Sequence, residues 1–379
     1  MGTESAQRVA YVDCAPFTGG AQQSLLMLVR GVTERGWTAG VLGADLTPGG
    51  LVEQCRRQGW PTRELRTAHW RCSVCGVARF VWDRLTAGRR IARAVREWNP
   101  VIVHANGVRA ALLLPRSVRR RAAVVVHDRD VRVPAAAVRF LASRVAEVIA
   151  TSDVVAAKWD TLAPDGALRV IPNGFDLAPL ASTIPVNEPA LAAARLRVVL
   201  VADLVPWKRH AAFLEAVALA APRLEGLVGV VVGRGRCAGD AAYLHRLQRR
   251  ATDLGIQRQV RFVTDAPSGL PWLAAADVVV SAAEEEPFGR TVIEALALGR
   301  PVVAVDAAGP GEILAGCPAA TLTGRAPADL AAGIVGWADP AARAAASRPA
   351  KAWAGRYDYG RMADAVCALY WDLAGMPGR

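Results

Sequence analysis

The chain has 379 residues, 53% hydrophobic and 21% charged, so it can bury a sizeable core and is not a disordered protein. Its formal net charge is +12, and residues 1–190, with 25 basic and 16 acidic side chains, hold most of the excess. A basic surface favours anionic partners such as phosphate groups, nucleic acid or an anionic membrane face, and no apolar run reaches the ~18 residues of a bilayer span.

Taken in chain order, Met1 to Ala6 lacks the basic segment and apolar stretch of a secretory signal, which makes the expected location cytoplasmic. Short β-branched runs then recur between alanine- and leucine-rich stretches. The predicted strands are Val9–Asp13, Val101–Ala105, Ala123–His127 and Val145–Thr151, followed by Arg197–Val201, Val228–Val232, Val260–Val263, Val278–Ser281 and Pro301–Ala304. Most are apolar throughout rather than alternating, as in strands covered on both faces of a parallel sheet. Between them, Arg79 to Trp98 sets Arg89, Arg93 and Arg96 on one helical face and Ile91, Val95 and Trp98 on another. That pattern fits a solvated helix packed on a sheet, or one lying on anionic lipid.

From Pro172 to Ala194 the rhythm lapses into turn residues and prolines, the mark of a linker. The last segment, Tyr357 to Ala374, places Met362, Val366, Leu369 and Tyr370 at helical spacing. The fold class is α/β, with two doubly wound parallel sheets: residues 1–180, residues 181–356, and a final helix over 357–379.

One stretch carries most of the chemical information. After the strand ending at Ser281 come Glu284, Glu285 and Glu286, then Pro287-Phe288-Gly289-Arg290-Thr291-Val292-Ile293-Glu294, and a helix that stops at Gly299 before Pro301. Loops at the carboxyl ends of parallel strands are where open α/β sheets bind ligands. Gly289 permits close backbone approach, and the helix N-terminus beyond it favours an anion such as a diphosphate. Glu286 and Glu294 then stand at either end of a single ligand, ready to take hydroxyl groups.

Two glutamates separated by seven residues in this setting resemble the E-x7-E signature of family 4 retaining glycosyltransferases, which have the GT-B fold. Further landmarks follow in the family's order. Cys14 to Gln22, with Gly19 and Gly20, resembles the glycine-rich loop after the first strand. Val125-Val126-His127-Asp128 is similar to the strand-end histidine segment, and Val170 to Asp176 to the start of the interdomain linker. Val201 to His210, containing Lys208 and Arg209, resembles the phosphate-binding loop of the second domain.

The resemblance implies two Rossmann-like domains facing across a cleft, the first binding the acceptor and the second a nucleotide-sugar donor, with the final helix crossing back onto the first. It implies that Glu294 holds the ribose and Glu286 a hydroxyl of the transferred sugar. Lys208 neutralises the diphosphate, while Thr291 and backbone groups near Phe288 and Gly289 contact phosphate or sugar. His127 contacts the sugar, and Gly19 and Gly20 let the first domain approach the diphosphate. The family usually has arginine where Asp203 stands, and Arg209 and Arg290 are the candidates to replace that cation.

UDP-sugar is the commoner donor in this family. The basic first half favours an anionic acceptor, in glycolipid or natural-product synthesis. Neither a metal nor another cofactor is expected, since Lys208 and a helix N-terminus can support the diphosphate. Two alternatives stay open: a nucleotide-sugar-binding protein without catalysis, motivated by Asp203, and a nucleic-acid-binding protein, motivated by charge. No recognised nucleic-acid module supports the second, so nucleic acid is not an expected partner. Cys72-x-x-Cys75 has metal-ligand spacing but no second pair, and Gly233-Arg-Gly235 begins a dinucleotide-like fingerprint whose last glycine falls one residue late. Seven cysteines, an odd number, argue for free thiols.

Overall fold

The computed structural model describes residues 7–67, 74–164, 166–235 and 238–375. The chain divides into two compact units, one of Met1–Phe175 with Tyr359–Arg379 and one of Asp176–Asp358.

The first unit is a seven-stranded sheet of β1 (Arg8–Val12), β2 (Thr38–Gly43), β3 (Thr62–Glu64), β4 (Ile102–Asn106), β5 (Ala123–Asp128), β6 (Glu147–Ala150) and β7 (Leu168–Val170). Its order is β3-β2-β1-β4-β5-β6-β7 and every pair is parallel. The apolar strands are explained by their two cores. Ala10, Val12, Val103 and Val126 face one cluster with Ile91 and Trp159, whereas Val9, Tyr11, Ile102 and Val125 face another with Leu25, Leu28 and Val29. That second cluster is closed by the helix Tyr359–Ala374, which supplies Met362, Val366, Leu369 and Tyr370, all buried, and packs on the helix Gly20–Glu34.

The second unit repeats the plan in six strands: β8 (Leu196–Val201), β9 (Leu227–Val232), β10 (Val260–Val263), β11 (Val278–Ser281), β12 (Val302–Val305) and β13 (Ala320–Thr323). Its order, β10-β9-β8-β11-β12-β13, is again wholly parallel. In both sheets the chain starts near the middle, runs outward to one edge and returns to build the other. This creates a switch point between β1 and β4 in one unit and between β8 and β11 in the other, where strand-end loops diverge and leave room for a ligand.

The nine expected strands are present with ends displaced by at most two residues, and β2, β3, β7 and β13 are additional. The helix expected from Arg79 begins earlier, spanning Val74–Trp98, with Ile91 and Val95 buried and Arg89, Arg93 and Arg96 exposed. The linker contains two short helices, Leu177–Ala181 and Pro189–Ala192.

Candidate active site

In the second unit the switch point is built from two loops. After β8 the chain runs through Asp203 into the turn Pro206–Lys208, then enters the helix His210–Ala220 through Arg209, whose backbone is left-handed at φ 56°. A side chain in that region costs about 1–2 kcal/mol, so something must hold it. Arg209 pairs with Glu284 at 3.0 Å and donates to the carbonyls of Ala282 (3.3 Å) and Arg325 (2.8 Å), tying the first loop to the second.

After β11 the acidic loop ends at Gly289, itself left-handed at φ 97°, and the helix Arg290–Ala297 follows. The backbone N–H of Gly309 donates to the Glu286 carbonyl at 2.9 Å. A Cβ on Gly309 would fall 2.5–2.7 Å from the backbone of Phe288, so only glycine lets these chains meet. The Phe288 ring is buried and stands edge-on to Tyr357, 5.8 Å between centroids.

These loops bring Lys208 and Glu286, 78 positions apart, into a direct ion pair between Nζ and Oε2. Both side chains are mostly shielded, 18% and 17% exposed, so their field is less screened than on an open surface. Lys208 Nζ also lies 4.1 Å from the ring centre of Trp207, which is itself exposed. Glu294 pairs with Arg290, one turn earlier on the same helix, at 3.2 Å. Of the two cations expected to replace the missing arginine, Arg209 is thus committed to Glu284 and Arg290 to Glu294. Thr291 is half-buried in the first turn of that helix.

In the first unit the carboxyl ends of β1, β4 and β5 hold a buried polar network. Asp13, one residue past β1, accepts from Gln22 Nε2 (2.9 Å) and Asn106 Nδ2 (2.6 Å). Gln22 in turn accepts from the backbone N–H of Gly19 at 3.0 Å, and Thr18 donates to Asp45 at 2.5 Å. The glycine-rich loop is therefore pinned at both sides, with Gly19 extended and Gly20 opening the helix Gly20–Glu34. Arg129 donates Nε to Asn106 Oδ1 at 2.9 Å and a terminal nitrogen to Asn173. Burial pushes the Asp13 carboxyl above its usual range, against the hydrogen bonds it accepts.

His127 sits inside this network. Its Nδ1 lies 3.2 Å from Arg129 and 3.2 Å from His104 Nε2, while its Nε2 is buried and makes no hydrogen bond among the described residues. Burial, then the Arg129 charge, hold His127 well below the usual histidine range; the same causes push His104 down to about 3. Both rings are neutral near pH 7. An unpaired buried nitrogen costs about 1–3 kcal/mol, so His127 carries a donor or acceptor poised for an incoming group.

Sequence reasoning missed Asp13, Asn106, Arg129, Asn173 and Gly309. Asp13 and Asn106 were legible as polar residues ending apolar strands, whereas Asn173 and Gly309 gain their roles from chain segments far away in sequence. The side chains of Cys72 and Cys75, and residues Arg236 and Cys237 of the glycine stretch, lie outside the described residues. Gly233 has a packing reason: a Cβ there would stand 2.0 Å from the Ala202 carbonyl oxygen. Cys14, Cys55, Cys317 and Cys367 are free thiols.

Comparison with known proteins bears on both units. Residues 18–179 match the model for Glycosyltransferase Family 4 and residues 187–334 that for Glycosyl transferases group 1. Among curated relatives, a D-inositol 3-phosphate glycosyltransferase of Catenulispora acidiphila is 39% identical over 130 residues, 33% of this chain and 30% of that protein. One from Jonesia denitrificans is 30% identical over 174 residues, 42% of this chain and 41% of that protein. The chain thus spans less than half the length of these relatives. Anabaena HepE, solved with UDP, superposes with a TM-score of 0.79 at 20% identity, covering 96% of this chain and 100% of that one. A glycosyltransferase from Rickettsia africae reaches 0.80 at 16% identity, covering 97% and 98%. The fold is therefore GT-B, and with one glycosyltransferase model on each unit the chain belongs to the glycosyltransferases that those models describe.

Proposed function

We propose that the chain is a retaining hexosyltransferase that moves a sugar from a UDP-sugar to a hydroxyl of an anionic acceptor. The observation that carries this reading is the meeting of Lys208 and Glu286 at the switch point of the second sheet, beside a helix N-terminus. A cation there balances charge building on a departing diphosphate, and a carboxylate accepts from a sugar hydroxyl. Glu294 serves the ribose, and Arg209, Arg290, Thr291 and the backbone at Phe288 and Gly289 line the diphosphate. Gly19, Gly20 and His127 serve the reacting sugar from the first unit. Lys208 and Glu286 hold one another at the site by their ion pair, one placed toward phosphate and the other toward sugar.

The chemistry is front-face substitution. The acceptor oxygen bonds to the anomeric carbon as the bond to the diphosphate oxygen breaks, and the hydroxyl proton passes to the leaving phosphate on the same face. UDP departs and the anomeric sense is retained. No protein carboxylate needs to become the nucleophile, and with Lys208 in place turnover should survive a chelator.

The acceptor reading rests on the basic excess of residues 1–190, supported by relatives named for D-inositol 3-phosphate. The helix Val74–Trp98 exposes Trp82 and Leu85 with Arg89, Arg93 and Arg96. This suits peripheral contact with an anionic membrane from the cytoplasm, in glycolipid or natural-product synthesis. No described helix is long and apolar enough to cross a membrane.

The test is a transfer assay with UDP-sugars and a panel of phosphorylated and neutral polyols, the product anomer read by NMR. The reading predicts an α-linked product from an α-linked donor, with phosphorylated acceptors preferred. Inversion would overturn the mechanism. Nucleotide binding with neither transfer nor donor hydrolysis would leave a binding protein in place of an enzyme.

A further inference from the structure

The C-terminal helix reaches the polar network through one residue. Tyr370 is buried, and its hydroxyl lies 2.7 Å from His104 Nδ1 and 3.3 Å from the Tyr11 hydroxyl. Tyr11 and His104 are directly paired across β1 and β4. The contacts form one line: Tyr11, Tyr370, His104, His127, Arg129. Hydrogen positions along it follow from Arg129, because a guanidinium only donates.

Arg129 donates to His127 Nδ1, so that nitrogen bears a lone pair and the neutral ring carries its proton on Nε2. His104 Nε2, 3.2 Å from the same nitrogen, is then the donor of that contact and shares the one lone pair with Arg129. His104, neutral as well, has its own lone pair on Nδ1 and accepts from Tyr370. The Tyr11 hydroxyl lies 3.3 Å from the Tyr370 oxygen at the far end of the line. Every member has one consistent role, and the line ends in the Nε2–H of His127, buried and without a hydrogen bond among the described residues.

We propose that Tyr370 is a positioning residue, acting through His104 to hold His127 as the Nε2–H tautomer with a hydrogen-bond donor directed to a ligand oxygen. The alternative tautomers fail in turn. A proton on His127 Nδ1 would face the Arg129 donor, and a proton on His104 Nδ1 would leave His104 Nε2 and His127 Nδ1 as two facing acceptors. That the donor serves a sugar oxygen rests on the function proposed above; the tautomer itself does not.

With five histidines in the chain, histidine ring ¹⁵N spectroscopy tests this directly. In the wild-type protein at pH 7 both His104 and His127 should show protonated Nε2 and bare Nδ1. A His127 signal of the Nδ1–H form overturns the proposal with no variant needed. In Y370F the His104 signal should shift toward a tautomer mixture, with kcat down several-fold and the donor KM unchanged. Y11F removes a neighbouring buried hydroxyl but keeps the Tyr370–His104 bond, so it should retain the wild-type pattern. Identical spectra and kcat in wild type and Y370F, or equal effects in Y11F and Y370F, would reduce Tyr370 to packing. Should Y370F fail to fold, the wild-type spectrum with H104Q decides: the proposal requires reduced kcat at unchanged donor KM, and full kcat in H104Q refutes it. Absence of transfer in the wild type would remove the sugar reading and leave the tautomer result standing.

Discussion

Lys208 and Glu286 have opposite charges, and the proposed function gives them different tasks, which their variants should separate. Lys208→Ala should weaken UDP binding about 10- to 100-fold, the ~1.5–3 kcal/mol of a charge-assisted hydrogen bond, with little effect on uridine. Glu286→Gln should abolish transfer while leaving UDP affinity within a few-fold, as titration and turnover on one preparation would show; unchanged turnover removes Glu286 from the reaction. A third residue tests burial rather than chemistry. His210 is fully buried at the start of its helix, and desolvation pushes it down to about 4. The unfolded chain, with histidine near 6.5, therefore binds the extra proton between those values, and stability is lost as pH falls through that window. The stability advantage of wild type over His210→Gln should shrink by about 2 kcal/mol between pH 7 and pH 5 in urea titrations. A gap independent of pH would mean that water reaches His210.

At the scale of elements, the acidic loop keeps its shape because the start of the helix Ala308–Leu314 lies against it at Gly309 with no side chain between. Gly309→Ala would thrust a methyl group onto the Phe288 backbone, so a loss of roughly 1–3 kcal/mol in stability and a weaker donor site are expected together. Wild-type stability and UDP affinity in that variant would show that the acidic loop is independent of the helix Ala308–Leu314. The C-terminal helix is similarly committed: Leu369→Ala, at a fully buried position, should cost about 2–5 kcal/mol. A smaller cost in thermal unfolding would mean that the helix packs loosely.

Legibility in the sequence follows the same physics. Central strands such as β5 and β11 are buried on both faces, so their valine runs announce them. Among the missed strands, β3, β7 and β13 lie at sheet edges, short and half-exposed, while β2 reads Thr38-Ala-Gly-Val-Leu-Gly43 and takes its conformation from its neighbours. Glu286, Lys208 and His127 were legible because each ends or follows an apolar strand. The partners that fix them, Asn173 and Gly309 among them, arrive from segments whose sequence gives no local sign of where they dock.

Across the molecule, two units of different size use one strand order, and in each the polar chemistry gathers where that order reverses. The second unit assembles charge at its switch point, with Lys208, Arg209, Glu284 and Glu286 in ion pairs. The first assembles a buried, hydrogen-bonded set around His127, with Arg129 as a charged donor. On the proposed function, a diphosphate suits the charged set of the second unit and a sugar hydroxyl the hydrogen-bonded set of the first, because charge is best met by charge and a neutral hydroxyl by an oriented, desolvated donor. The basic excess of the amino-terminal half adds a longer-range attraction, so the KM for an anionic acceptor should rise with salt while that for a neutral acceptor stays level.

The most direct measurement is calorimetric titration of wild-type protein and Lys208→Ala with UDP and with uridine, without added metal. Wild type should bind UDP far more tightly than uridine, and Lys208→Ala should lose most of that preference. No measurable UDP binding, or a preference that survives in Lys208→Ala, would contradict the assignment of the diphosphate to the switch point of the second sheet.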